Sequence, residues 1–193
     1  AVEFLSSFEL NSNLGFTLIK KYFPRIKIPF NNEYSWYVII EFSTQSNNNL
    51  KLELNKIIKS SLKKGIILNF IQPESKLQTA NIWKTRELLN KAQKLDGPSI
   101  KHDISIPVSV IPNFIKIVEK KLLPYIHKDN ILVFGHLADG NLHYNIREDK
   151  KYSIKKFEKL RKLINNIVFE IVHDFHGSFS AEHGIGVFKK NEL

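Results

Sequence analysis

The stretch Phe134-Gly135-His136-Leu137-Ala138-Asp139-Gly140-Asn141-Leu142-His143 places a histidine on either side of an Asp-Gly pair. Asp-Gly between apolar runs signals a tight hairpin turn. With Asp139 and Gly140 as the two central residues, Ala138 pairs with Asn141, Leu137 with Leu142, and His136 with His143. Directly opposed side chains share one face of the ribbon, with Cβ atoms about 4.5–5.5 Å apart. Two imidazoles so placed can converge on one metal ion, at about 2.0–2.1 Å if it is zinc. A one-residue slip would send them to opposite faces and remove the site. A surface hairpin with two unrelated histidines fits the same spacing.

A second stretch, Gly177-Ser178-Phe179-Ser180-Ala181-Glu182-His183-Gly184-Ile185-Gly186, brackets an acid–His pair with glycines. In extended backbone Glu182 and His183 point to opposite sides. One of them can complete a His/His/Glu metal set while the other faces a substrate as a base. Such a set with open positions suits zinc, manganese or iron. The blander alternative is a Gly-rich loop after a helix, with Glu182 solvated. A third region pairs Trp83-Lys84-Thr85-Arg86-Glu87 with Ser99-Ile100-Lys101-His102-Asp103. Arg86 as a bidentate fork and Lys101 as a point charge can clamp one anionic substrate. Alternatively, Arg86 pairs with acids on a solvated helix face.

These residues need elements to carry them. Trp36-Tyr37-Val38-Ile39-Ile40-Glu41-Phe42 is β-branched and aromatic and reads as a strand. Residues 50–64 have apolar positions near helical spacing, Gly65 ends that helix, and 66–71 reads as the next strand. A helix over 79–95 stops at Asp96-Gly97-Pro98. A strand over 102–108 follows, then a helix over 111–126 with Pro112 in its first turn. Strands at 131–134 and 142–146 and a long amphipathic helix over 153–175 complete the chain. The expected fold is α+β: one domain over 1–193, with helices on one face of a mainly antiparallel sheet and two ferredoxin-like halves.

Composition narrows the function classes. Lys and Arg total 29 against 19 acids, a formal charge of +10. A basic nucleic-acid-binding module would be one reading. The arginines are only Arg25, Arg86, Arg147 and Arg161, and the lysines are spread over several helix faces, so nucleic acid is not expected. No apolar run approaches the roughly 18 residues a membrane span needs. With no Cys, any metal must be held by His, Asp or Glu. No targeting segment is visible, and the expected location is cytoplasmic. The chain has no Met, even at position 1, and is expected to be a piece of a longer protein.

Taken together, these motifs resemble the C-terminal, substrate-side domain of the FAD-linked oxidases of the vanillyl-alcohol oxidase superfamily. The branch most similar is that of D-2-hydroxyglutarate dehydrogenase, with its D-lactate and glycolate relatives. Phe134 to His143 is similar to the family's GHxGDGNxH hairpin, and Ser180-Ala-Glu-His-Gly-Ile-Gly186 to its SxEHGIG segment. Ile100 to Pro107 resembles the K-x-D-[VI]-S-x-P strand, and the helix from Trp83 resembles W-x-x-R-E.

The resemblance implies that His136, His143 and Glu182 are metal ligands, usually for zinc, and that His183 is the general base. It implies that Arg86 and Lys101 hold substrate carboxylates and that Asn141 is a further contact near the metal. Asn90 stands where the hydroxyglutarate branch has Thr at the distal-carboxylate position, which leaves the substrate's identity open. Ala138 replaces the second glycine of the hairpin motif. The implied activity is oxidation of a D-2-hydroxy acid to the 2-oxo acid, with hydride passing to FAD held mainly by an upstream domain. That domain and a C-terminal tail have no counterpart in these residues, so this piece alone is expected to be inactive. The implied partners are a small D-2-hydroxy acid and an electron acceptor, and the resemblance allows a homodimer. A non-catalytic metal-binding α+β domain remains the alternative outside enzymes.

Overall fold

The structure, a computed structural model, describes residues 4–43, 48–149 and 153–182. The strands are β1 (Leu5–Ser12), β2 (Trp36–Phe42), β3 (Ser99–Ser105), β4 (Ile131–His136) and β5 (Asn141–Arg147). The helices are α1 (Asn13–Tyr22), α2 (Asn48–Lys63), α3 (Lys76–Glu87), α4 (Leu89–Asp96), α5 (Ile111–Leu122) and α6 (Ile154–Asp174). All strand pairings are antiparallel, in the order β2-β1-β4-β5-β3. The α+β class and the antiparallel sheet are therefore as expected.

Alternation along the strands sorts side chains to two faces. Ile100 and Ile104 of β3, Leu142, Tyr144 and Ile146 of β5, and Val133 of β4 form one apolar layer. α5 covers it with Phe114 and Val118, and α6 with Ile164 and Val168. Pro112 stands in the first turn of α5, where a missing N–H costs nothing. β3, α5 and β4 form a crossover, with β5 inserted antiparallel between the two strands it joins. This C-terminal half is the split βαβ arrangement expected.

The N-terminal half departs from expectation. β1 and α1 are elements that the sequence reading did not identify. Ser12 precedes α1 but does not cap it with its side chain, since its Oγ accepts the Val133 N–H at 3.0 Å. α1 and α4 lay Leu18, Ile19, Leu89 and Ala92 on Leu132 and Phe134. These two β4 residues alternate with Val133, so helices cover both faces of the sheet rather than one. No strand forms over 66–71, so a second ferredoxin-like half is not completed. Ile66 and Leu68 there are 71% and 76% exposed. A short apolar, β-branched run makes a strand only where a neighbouring strand and a core receive it.

The helix expected over 79–95 is two helices that meet at Leu88. The break lets α3 turn Arg86 toward β1 while α4 packs Leu89 and Ala92 on α1. Ser75 caps α3 by accepting the Gln78 N–H at 3.2 Å. Among the described residues no helix is long and apolar enough to cross a membrane.

Candidate functional site

The hairpin that carries both histidines is wider than a two-residue turn. β4 and β5 pair Phe134 with His143 and Val133 with Tyr144. Beyond Phe134, β4 leaves β5 and pairs with β1, placing Gly135 opposite Leu10 and His136 opposite Glu9. The connection is a 3-10 turn over Leu137–Asp139, closed by Gly140 in the left-handed region at φ 70°. A Cβ at Gly140 would collide with the Ile106 carbonyl oxygen. The Ile106 N–H in turn donates to the Gly140 carbonyl at 3.0 Å, which holds the turn against the end of β3. His143 therefore opposes Phe134, two residues from the partner expected. Two residues is the repeat of the pleat, so the correction to the register leaves His136 and His143 on the same face.

That face also carries Asp103, which lies directly opposite His143 across β3 and β5. His143 Nδ1 is 3.6 Å from Asp103 Oδ1. Asp103 also fixes the acidic segment that follows α6. Its Oδ2 accepts the Glu182 N–H at 2.8 Å, and its carbonyl accepts the Ala181 N–H at 3.2 Å. Two backbone bonds between Ser105 and Ser178, at 2.8 and 2.7 Å, extend this edge pairing. Glu182 is thereby brought over the histidines, with Oε1 3.7 Å from His136 Nε2. One ligand atom each from Asp103, His143 and Glu182 lie within 4.8 Å of one another. Asp103 and His143 are buried, while Glu182 is exposed, so the cluster opens to solvent on one side.

Glu9 lies behind His136. Its Oε1 is 2.6 Å from His136 Nδ1, and its Oε2 accepts from Arg86 Nε at 2.8 Å. Arg86 is buried, so pairing with acids along a solvated helix does not describe it. Its guanidinium sits 5.1 Å from the centre of the Phe134 ring, whose own centre is 4.8 Å from that of His143. Phe134 is thus a floor shared by the cation and the imidazole.

The other residues named from the sequence fall as follows. Lys101 is exposed and alternates to the same face of β3 as Asp103. Asn141 is buried at the start of β5, and its Oδ1 has no hydrogen-bond partner among the described residues. Asn90 is exposed on α4, beyond the Leu88 break. His183 lies outside the described residues. Glu9 and Asp103 were not among the residues singled out. Asp103 stood within a quoted strand motif, an acid on the face opposite the Ile100 and Ile104 side chains. Glu9 gave no signal, because its strand was not recognised. His102 is a satisfied core histidine on the other face, with Nδ1 2.7 Å from the Tyr144 carbonyl and Nε2 3.0 Å from Asn165 Oδ1.

Comparison with known families decides the affiliation. The family described as FAD linked oxidases, C-terminal domain, matches residues 1–193. The chain belongs to this family. Among curated relatives of this FAD-linked oxidase domain, D-2-hydroxyglutarate dehydrogenase of Arabidopsis thaliana is 32% identical over 191 residues, covering 99% of this chain and 33% of the relative. A putative D-lactate dehydrogenase of Schizosaccharomyces pombe is 30% identical over 198 residues, covering 97% and 36%. D-2-hydroxyglutarate dehydrogenase of Stutzerimonas stutzeri is 30% identical over 168 residues, covering 87% and 36%. The chain thus spans about a third of the length of the curated relatives it matches.

Proposed function

We propose that this chain is the substrate- and metal-binding part of an FAD-dependent D-2-hydroxy-acid dehydrogenase. The observation that carries the reading is the convergence of His136, His143, Asp103 and Glu182 on one face, beside the buried Arg86. The donor set is imidazole nitrogen and carboxylate oxygen without sulfur, which fits zinc, manganese or iron. His136, His143 and Glu182 are the proposed ligands, and Asp103 adjoins two of them. A divalent cation held there would supply a Lewis acid toward the hydroxyl and carboxylate oxygens of a bound hydroxy acid. FAD, held mainly outside these residues, would accept the hydride.

The chain's own side chains supply binding and proton transfer. Arg86 spends Nε on Glu9, and its remaining N–H donors suit a substrate carboxylate. Lys101 adds a second positive charge on the same strand face as Asp103. Asn141, buried with an Oδ1 that has no partner among the described residues, suits a polar contact beside the metal. Asn90 is the proposed contact to a distal carboxylate. His183 is the proposed base that takes the hydroxyl proton.

The test uses the full-length protein with its flavin bound. Elemental analysis should find about one zinc or manganese per chain. One of D-2-hydroxyglutarate, D-lactate or glycolate should reduce an artificial dye acceptor. Chelation should abolish turnover, and the restored cation should return it. Absence of turnover with all three acids, in protein holding both flavin and metal, would overturn the reading.

A further inference from the structure

We propose that Glu9 is the positioning residue of this site, one buried carboxylate that sets the His136 ring and the Arg86 guanidinium as a single unit. Glu9 and His136 are direct partners across β1 and β4, so the carboxylate and the ring meet on one sheet face. Arg86 arrives from α3, 77 residues away in sequence. The two contacts use different oxygens, Oε1 to His136 at 2.6 Å and Oε2 to Arg86 at 2.8 Å. Ser7 Oγ adds a third bond to Oε1 at 3.1 Å. The Glu9 side chain is only 4% exposed. A carboxylate that deep is tolerated only with its oxygens satisfied, so its partners are constrained as strongly as it is.

The consequence for His136 is chemical. A carboxylate accepts hydrogen bonds and does not donate them, so Nδ1 carries the ring hydrogen. In the neutral ring Nε2 then holds the free lone pair, and Nε2 is the nitrogen that faces Glu182 at 3.7 Å. A neutral imidazole with its other nitrogen donating to a carboxylate is the form a metal ligand needs. The same carboxylate fixes Arg86 through Nε, which leaves the two terminal nitrogens of the fork in a set orientation. Moving Glu9 would therefore disturb the cation-binding and anion-binding halves together. The part concerning the metal rests on the function proposed above; the part concerning the ring and the guanidinium does not.

The test is NMR of the full-length protein labelled with nitrogen-15 histidine and arginine, together with zinc affinity by chelator competition. In the metal-free wild type, His136 should show the Nδ1–H tautomer and Arg86 a hydrogen-bonded Nε–H. Glu9→Ala should release both signals and weaken zinc binding about 10–100-fold. If that variant does not fold, Glu9→Gln decides. An amide has one acceptor oxygen, and the two donors lie at different oxygens, so one partner must be lost. Either the His136 tautomer changes and zinc affinity drops, or the Arg86 Nε signal moves. Unchanged signals for both residues in a folded variant would overturn the proposal. So would an unchanged zinc affinity in Glu9→Ala when the wild type binds zinc. A wild type that binds no zinc, but whose two signals respond as described, would leave the positioning role standing and remove the metal reading instead.

Discussion

Asp103 and His143 face each other across β3 and β5, with His143 Nδ1 3.6 Å from Asp103 Oδ1. The same aspartate holds the backbone of Glu182, so one β3 residue joins the hairpin histidine to the acidic segment that completes the cluster.

Asp103 therefore has two separable effects. Asp103→Asn keeps an oxygen able to accept the Glu182 N–H but loses the negative charge beside His143. Zinc affinity should fall about tenfold with little change in melting temperature. Asp103→Ala loses the acceptor as well, so the Glu182 amide should also lose its protection from hydrogen exchange. Equal exchange rates at Glu182 in both variants would mean that the bond does not hold the segment.

His136 and Phe134 lie two residues apart on the same strand face and should respond in opposite ways. The His136 side chain is 37% exposed, so His136→Ala should remove metal binding while costing about 1–2 kcal/mol of stability, since Ser7 Oγ still donates to the Glu9 oxygen it leaves. Phe134 is fully buried beneath Arg86 and among the residues of α1 and α4. Phe134→Ala should cost about 3–5 kcal/mol in chemical denaturation. Global unfolding of His136→Ala would instead mark the hairpin cluster as structural.

Much of this architecture is visible in the amino-acid pattern where apolar alternation and burial agree. Leu142, Tyr144 and Ile146 announce β5, because one whole face of that strand serves the core, and Pro112 announces the start of α5. β1 is hidden for the opposite reason. Its inward positions Glu9 and Asn11 are polar and buried, so the segment violates strand patterning at the place where chemistry is assembled. The false strand at 66–71 shows the converse, since its apolar, β-branched run has no sheet edge to join. The hairpin spacing puts His136 and His143 on one face. Asp139-Gly140 alone implies a two-residue turn, yet β1 competes for the end of β4 and widens the connection. Which acids approach the histidines depends on pairings between distant strands, and local spacing does not encode these.

Asp96, at the end of α4, makes the fold sensitive to acid. Burial pushes its pKa up, but hydrogen bonds from Lys21, Tyr22 and Arg147 outweigh burial and hold it below the ordinary aspartate value of 3.8. These bonds measure 2.7, 2.8 and 3.1 Å and tie α1, α4 and β5 together. A lowered folded-state pKa means that the ionised group stabilises the fold above its unfolded value. That contribution is lost as the pH falls through the folded value, below about 4. Asp96→Asn should cost about 1–3 kcal/mol at pH 7. The gap between variant and wild type should close on acidification from pH 4 toward pH 2, and a gap constant with pH would refute the ionic origin.

Arg86 connects stability and substrate binding, and two substitutions separate them. Arg86→Ala leaves the Glu9 carboxylate buried without its cation, which should cost about 3–5 kcal/mol. Arg86→Lys keeps a positive charge that can reach Glu9, so most of that loss should be recovered. Lysine has no planar fork, however, and cannot hold a carboxylate through two parallel bonds. The lysine variant of the full-length enzyme should therefore melt near wild type yet show a KM for its hydroxy acid raised about tenfold or more. Wild-type KM in a stable Arg86→Lys protein would assign Arg86 to the fold alone. The substrate carboxylate would then have to be held by Lys101 and its neighbours.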